Sequence, residues 1–132
     1  MSTTGIDHLN ILTDDLEATV AFYEAVLGLT RAESPATAMG MQGAWLRDAS
    51  GSAIIHLIGN VPGLRLAEGR SPGQSTNAVH HVAFHCDGFD DAKARIAAFG
   101  CPFRVNDGNY GLRQIIVSDP NAITVEMNFA IA

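Results

Sequence analysis

The chain repeats itself. His8 recurs as His81, Gly28 recurs as Gly100, and His56 is matched by Glu126, at separations of 73, 72 and 70 residues (8 to 81, 28 to 100, 56 to 126). Near-constant spacing of that size marks a duplicated supersecondary unit. It leaves few folds open, because whatever the first half builds, the second half must build again. The 132 residues suffice for one domain with a shared core and are too few for two ordinary domains.

The repeated unit is legible in the hydrophobic pattern. In GIDHLNIL (residues 5–12), Leu9 and Ile11 alternate with His8 and Asn10, the period of a half-buried strand. Asp14-Asp15-Leu16-Glu17 then starts a helix with an N-cap carboxylate, Leu16, Val20, Tyr23 and Leu27 follow at helical spacing, and Gly28 stops it. Short segments over 29–33, 43–47 and 52–58 are separated by Ser34-Pro35, Met39-Gly40 and Asp48-Ala49-Ser50-Gly51 turn chemistry, which predicts three strands. The order is βαβββ. In the second half VHHVAFHC (79–86) reads as a strand, and Phe89, Ala92, Ile96 and Phe99 give a helix ending at Gly100. CPFRV (101–105), LRQIIVS (112–118) and AITVEMNF (122–129) give three further strands, broken at 106–109 and 119–122. The expectation is an α+β fold in one domain, residues 1–132, with module 1 over 5–59 and module 2 over 79–130. The Gly-, Pro- and Ser-rich stretch 60–78 is a connecting loop, either a linker or a flap over a cleft.

Composition narrows the function. The chain is 47% apolar and 17% charged with a net charge of −6, so it folds and offers no basic stripe for nucleic acid and no polybasic membrane patch. No run approaches the ~20 apolar residues of a spanning helix, and the first residues, MSTTGIDHLN, lack a secretory signal pattern. Cys86 and Cys101 form no CxxC pair. A cytoplasmic protein with a small-molecule partner is expected.

Strand parity sorts the polar residues. His8 and His81 lie opposite the apolar sets Leu9/Ile11 and Val82/Phe84, while His80 falls with the core-facing set and His85 with His81. His81 and His85 resemble an HxxxH metal pair, but four residues along a strand separate them by about 13 Å, so they do not share one ion. In the last strand Thr124, Glu126 and Asn128 form a polar face against Ile123, Val125, Met127 and Phe129. His56 interrupts the apolar run AIIHLIG, which is costly unless the ring has a partner. Each module thus contributes one ligand-type side chain from its first strand and one from its last. Three imidazoles and a carboxylate suit a first-row divalent cation such as Zn, Ni, Fe, Mn or Co.

Together, DHLNIL, DDLEATVAFYEAVLGL, AIIHLIG, HHVAFHC and DPNAITVEMNF resemble the vicinal oxygen chelate superfamily, which groups glyoxalases, bleomycin and fosfomycin resistance proteins, an epimerase and extradiol dioxygenases. The resemblance implies paired βαβββ modules forming a cupped, barrel-like cleft with a divalent metal at its floor. It implies His8, His56, His81 and Glu126 as ligands, and Glu126 as the catalytic base of a glyoxalase-like lyase or isomerase whose small substrate chelates the metal through adjacent oxygens. It also implies a homodimer, with the cleft formed either by two modules of one chain or by modules exchanged between chains. His56 stands where relatives vary. If it binds metal, the set suits Lewis-acid proton chemistry. If it does not, two histidines and a carboxylate leave the open face of a non-haem iron centre, as in extradiol ring cleavage of a catechol. A thiol transferase and a ligand-sequestering resistance protein are the remaining alternatives. Gln114, Arg113, Trp45 and His85 are candidate substrate contacts, with Arg104 a second candidate carboxylate clamp and Tyr110 a possible pocket residue.

Overall fold

The computed structural model describes residues 1–33 and 42–131; the Ser34-Pro35 and Met39-Gly40 turn signals lie outside the described residues. Both halves build the same unit. The first is β1 (Leu9–Thr13), α1 (Leu16–Leu27), β2 (Thr30–Glu33), β3 (Gly43–Arg47) and β4 (Ala53–Gly59). The second is β5 (Val82–Cys86), α2 (Phe89–Phe99), β6 (Arg104–Asn109), β7 (Leu112–Ser118) and β8 (Thr124–Ala130). Strand orders are β1-β4-β3-β2 and β5-β8-β7-β6, with the first and last strands of each unit parallel and the other pairs antiparallel. The α+β fold of two tandem βαβββ modules is therefore observed, as two open, cupped sheets rather than a closed barrel. Register repeats as well: Asn10 lies opposite His56 and Ala83 opposite Glu126.

Some boundaries differ from expectation, for reasons of pairing. β1 starts at Leu9, not Gly5, because its ladder with β4 begins at the Leu9–Ile55 pair; alternation marks a half-buried segment, but a strand needs a neighbour. His8 thus lies just ahead of β1, and His81 just ahead of β5. His80 is exposed rather than turned to the core side, since the ladder that would orient it begins only at Val82. The second module-2 strand is displaced too. Asn106-Asp107-Gly108-Asn109 does not break the chain but belongs to β6, with Gly108 at a register shift between Asp107 and Asn109. The reversal falls on Tyr110-Gly111, both at positive φ (55° and 68°), the dihedrals of a two-residue hairpin turn matched to strand twist.

The helices are stopped where the sequence suggests. Asp15 caps α1, accepting from the Ala18 N–H at 3.0 Å, while Asp14 instead accepts from the Asn60 amide. Gly28 and Gly100 end α1 and α2 in left-handed conformations, which glycine adopts without a Cβ penalty. Each helix covers one face of its sheet, burying Ile55 and Leu57 of β4 and Val125 and Met127 of β8. The opposite faces carry His56 and Glu126.

The two modules are joined through α1. The β7–β8 turn, Asp119-Pro120-Asn121-Ala122, docks on it: the Tyr23 hydroxyl donates to Asp119 Oδ2 at 2.9 Å, and the Asn121 side-chain amide donates to Thr19 Oγ1 at 3.1 Å. Asp119 Oδ1 also accepts the N–H groups of Asn121 and Ile123, each at 2.8 Å. Tyr23, Thr19, Asp119 and Asn121 are all buried. From α2, the Arg95 guanidinium donates to the carbonyls of Ala25 and Val26 at the end of α1, satisfying groups a helix terminus leaves unpaired.

Replacing Tyr23 by Phe removes one hydrogen bond to a buried carboxylate and is expected to cost about 1.5–3 kcal/mol, read as a lower urea midpoint at unchanged slope. Burial, and then the Asp119 carboxylate, hold the Tyr23 phenol well above its ordinary value of 10.0. The unfolded chain therefore releases this proton before the folded one does. Stability from this group is complete below pH 10 and declines as pH rises further, a decline the Phe variant should lack.

Candidate functional site

The uncovered face of the first sheet gathers three rings. Trp45 and His56, register partners on β3 and β4, stack with centroids 4.1 Å apart and planes 10° off parallel. His8 meets Trp45 edge-on at 4.9 Å and stands 6.2 Å from His56. His8 Nδ1 lies 2.6 Å from Asp7 Oδ1. A carboxylate only accepts, so Nδ1 carries the hydrogen, and in the neutral ring it is Nε2 that keeps a lone pair for another partner. The Asn10 amide lies 3.3 Å from His56 Nδ1. Burial, and then the nearby His8 charge, hold His56 below its ordinary value of 6.5, so it is a neutral ring at neutral pH, the state in which imidazole donates a lone pair.

The second sheet carries the matching pair. His81 Nε2 is 3.3 Å from Glu126 Oε2, and His81 Nδ1 lies 2.9 Å from His80 Nδ1. The other carboxylate oxygen, Glu126 Oε1, accepts from Gln114 Nε2 at 2.8 Å, and the same nitrogen donates to Asn128 Oδ1 at 2.9 Å. Asp7, Asn10, His80 and Asn128 are the partners that residue-by-residue reading did not assign. Only the β1–β4 and β7–β8 registers bring Asn10 and Asn128 beside the residues they touch.

This duplicated βαβββ architecture, with ligand-type residues at equivalent places, is accompanied by a family match. Residues 5–127 match the Glyoxalase/Bleomycin resistance protein/Dioxygenase superfamily. The chain belongs to that superfamily. A curated relative, Glyoxylase I 4 of Arabidopsis thaliana, is 23% identical over 128 residues, spanning 94% of this chain and 70% of that protein. Among solved structures, a glyoxalase/dioxygenase from Nostoc punctiforme superposes with a TM-score of 0.74 at 24% identity, over 98% of this chain and 92% of that one. Lactoylglutathione lyase from Agrobacterium tumefaciens gives 0.65 at 21%, covering 98% and 96%. The fosfomycin resistance protein FosX from Listeria monocytogenes gives 0.68 at 18%, covering 98% and 96%. At these identities the structural likenesses establish the fold.

The four residues expected as ligands, His8, His56, His81 and Glu126, form two pairs, not one cluster. Among the described residues no three His, Cys, Asp or Glu side chains converge on a common metal position. His8 lines a cleft of about 850 Å³ between the modules, together with His85. His81 lines a different one of about 930 Å³, bordered by Asn10 and by connecting-segment residues such as Leu66 and Arg70. By donor chemistry the two pairs suit a first-row divalent ion; by position, one chain brings the four residues together two at a time. Of the other candidates, Gln114 shares the Glu126 face, Trp45 stacks on His56, and His85 pairs in register with Asn128. Arg113 is turned to the helix side with Ile115 and Val117: it bonds Asp107 at 2.8 Å and lies 3.6 Å over the Phe89 ring. Arg104, in register with Ile116 and through it with Glu126, is the arginine on the Glu126 face. Tyr110 stands exposed at the hairpin tip.

Trp45 is the single tryptophan, so its emission reports on the ring stacked against it. Protonated imidazole quenches indole. Acid titration is expected to quench Trp45 with a midpoint below 6.5, and His56→Gln to abolish the transition; a midpoint at or above 6.5 would contradict the half-buried, His8-facing setting of His56.

Proposed function

We propose that this chain is a divalent-metal-dependent lyase or isomerase of the glyoxalase type, acting on a small substrate that presents two adjacent oxygens, and that its site is assembled between two copies of the chain. In this reading His8 and His56 of one copy and His81 and Glu126 of the other hold the ion. The observation that carries it is the pairing just described: two half-sets, each already convergent and partly exposed, on edge-adjacent strands at equivalent positions of a duplicated fold. A homodimer with two-fold symmetry brings unlike halves together twice.

A bound ion would supply positive charge against the substrate oxygens, which makes the neighbouring C–H acidic. The protein groups do the rest. Asp7 fixes which nitrogen of His8 is available, and Trp45 fixes the plane of His56. Glu126 Oε2 is the proton acceptor, because Oε1 is already engaged by Gln114. Moving that proton between adjacent carbons needs no oxidant, which is what separates this reaction from catechol cleavage.

Elemental analysis is expected to find about one first-row metal per chain in the wild type, lost in His8→Ala and Glu126→Ala and kept in His80→Ala. Sharing is tested by refolding those first two variants together. Half of random dimers are mixed and each mixed dimer has one intact site of two, so about a quarter of the wild-type metal should return. No recovery in verified mixed dimers would place the site within one chain. Isomerisation of a hemithioacetal without oxygen consumption is the expected activity; oxygen uptake with a catechol would replace it by dioxygenation.

A further inference from the structure

We propose that Gln114 is a positioning residue for Glu126, fixing which carboxylate oxygen is presented to the metal and the substrate; this rests on the reading of Glu126 as a ligand. The geometry is constrained by chemistry. A carboxylate has no hydrogen to give, so the Gln114 nitrogen, not its oxygen, must face Glu126 Oε1. The same nitrogen reaches Asn128 Oδ1, so both amide hydrogens are spent. Oε1 is thereby tied to β7, and Oε2 is the oxygen left beside His81 Nε2.

The backbone makes this triad possible. Gln114 and Asn128 are direct cross-strand partners, and Glu126 is two residues from Asn128 on the same face of β8, close enough for a long side chain on β7 to touch both. All three side chains are half-buried, which strengthens a hydrogen bond to a charged group and makes its loss costly. The spent hydrogens also limit what else Gln114 does. Its one unengaged polar atom is its own carbonyl oxygen, so any contact it makes with a bound molecule is to a donor such as a hydroxyl, and a substrate carboxylate is excluded as its partner.

The test uses cobalt(II) binding to the metal-free dimer, followed by quenching of Trp45 and by the visible absorption of the bound ion. Gln114→Met keeps the length and removes the donor. It is expected to weaken cobalt binding roughly 10–100-fold, the usual effect of removing a partner that orients a ligand, and to alter the cobalt spectrum. In a Glu126→Ala background the same change should have no further effect. A purely structural role would instead lower the urea midpoint and leave cobalt affinity and spectrum unchanged, which would overturn the proposal. If wild type and Glu126→Ala bind cobalt alike, the ligand reading of Glu126 fails and the proposal falls with it. If Glu126→Ala loses cobalt while Gln114→Met matches wild type, only the role of Gln114 fails.

Discussion

The carboxylate of Asp119 is the contact on which the arrangement of the modules depends. It is buried in a turn that the second module presents to a helix of the first, and it is fully engaged there by Tyr23 and by two backbone N–H groups. A buried carboxylate is tolerable only with such partners. The contact therefore selects the one docking of β7–β8 turn and α1 that supplies them. Arg95 adds a second clasp from α2 to the end of α1. With the helices back to back, the helix-covered faces of both sheets merge into a single core.

The consequence reaches the site. Once the apolar faces are used for the core, the polar faces carrying His56 and Glu126 are what remains for chemistry. Duplication makes each face offer the same thing: one residue just ahead of an edge strand and one on the parallel neighbour of that strand. The halves have diverged in their surroundings. The first pair is packed among aromatic rings, and its His56 is held neutral. The second is set in a polar ladder of Gln114, Glu126 and Asn128. In the proposed site one half would donate lone pairs from stacked rings, and the other would supply an oriented carboxylate.

Much of this was legible in the sequence because strand parity is a local property. Val125 and Met127 against Glu126, or Ile55 and Leu57 against His56, alternate without knowledge of any neighbour, and all four apolar residues are buried. Helix ends at Gly28 and Gly100 were equally local. What failed was whatever depended on a partner. His80 lost its inward direction because no ladder holds it, and Asn106–Asn109 stayed in strand because β7 offered a longer pairing through a bulge. Arg113 faces the helix because Asp107 and Phe89 lie there. Asp119 looked like an ordinary turn residue, since its buried partner Tyr23 is 96 positions away.

The sequence by itself determined the duplicated βαβββ plan and the faces that His56 and Glu126 take, because periodicity and spacing are carried by neighbouring residues, and its motifs resembled the superfamily to which the chain belongs. Tertiary structure alone decided which of those residues meet. His8 finds His56 and His81 finds Glu126 because β1 pairs with β4 and β5 with β8, whereas His8 and His81 line different clefts because the modules dock through their helices. That docking is a contact between residues far apart in the chain, and no local pattern encodes it.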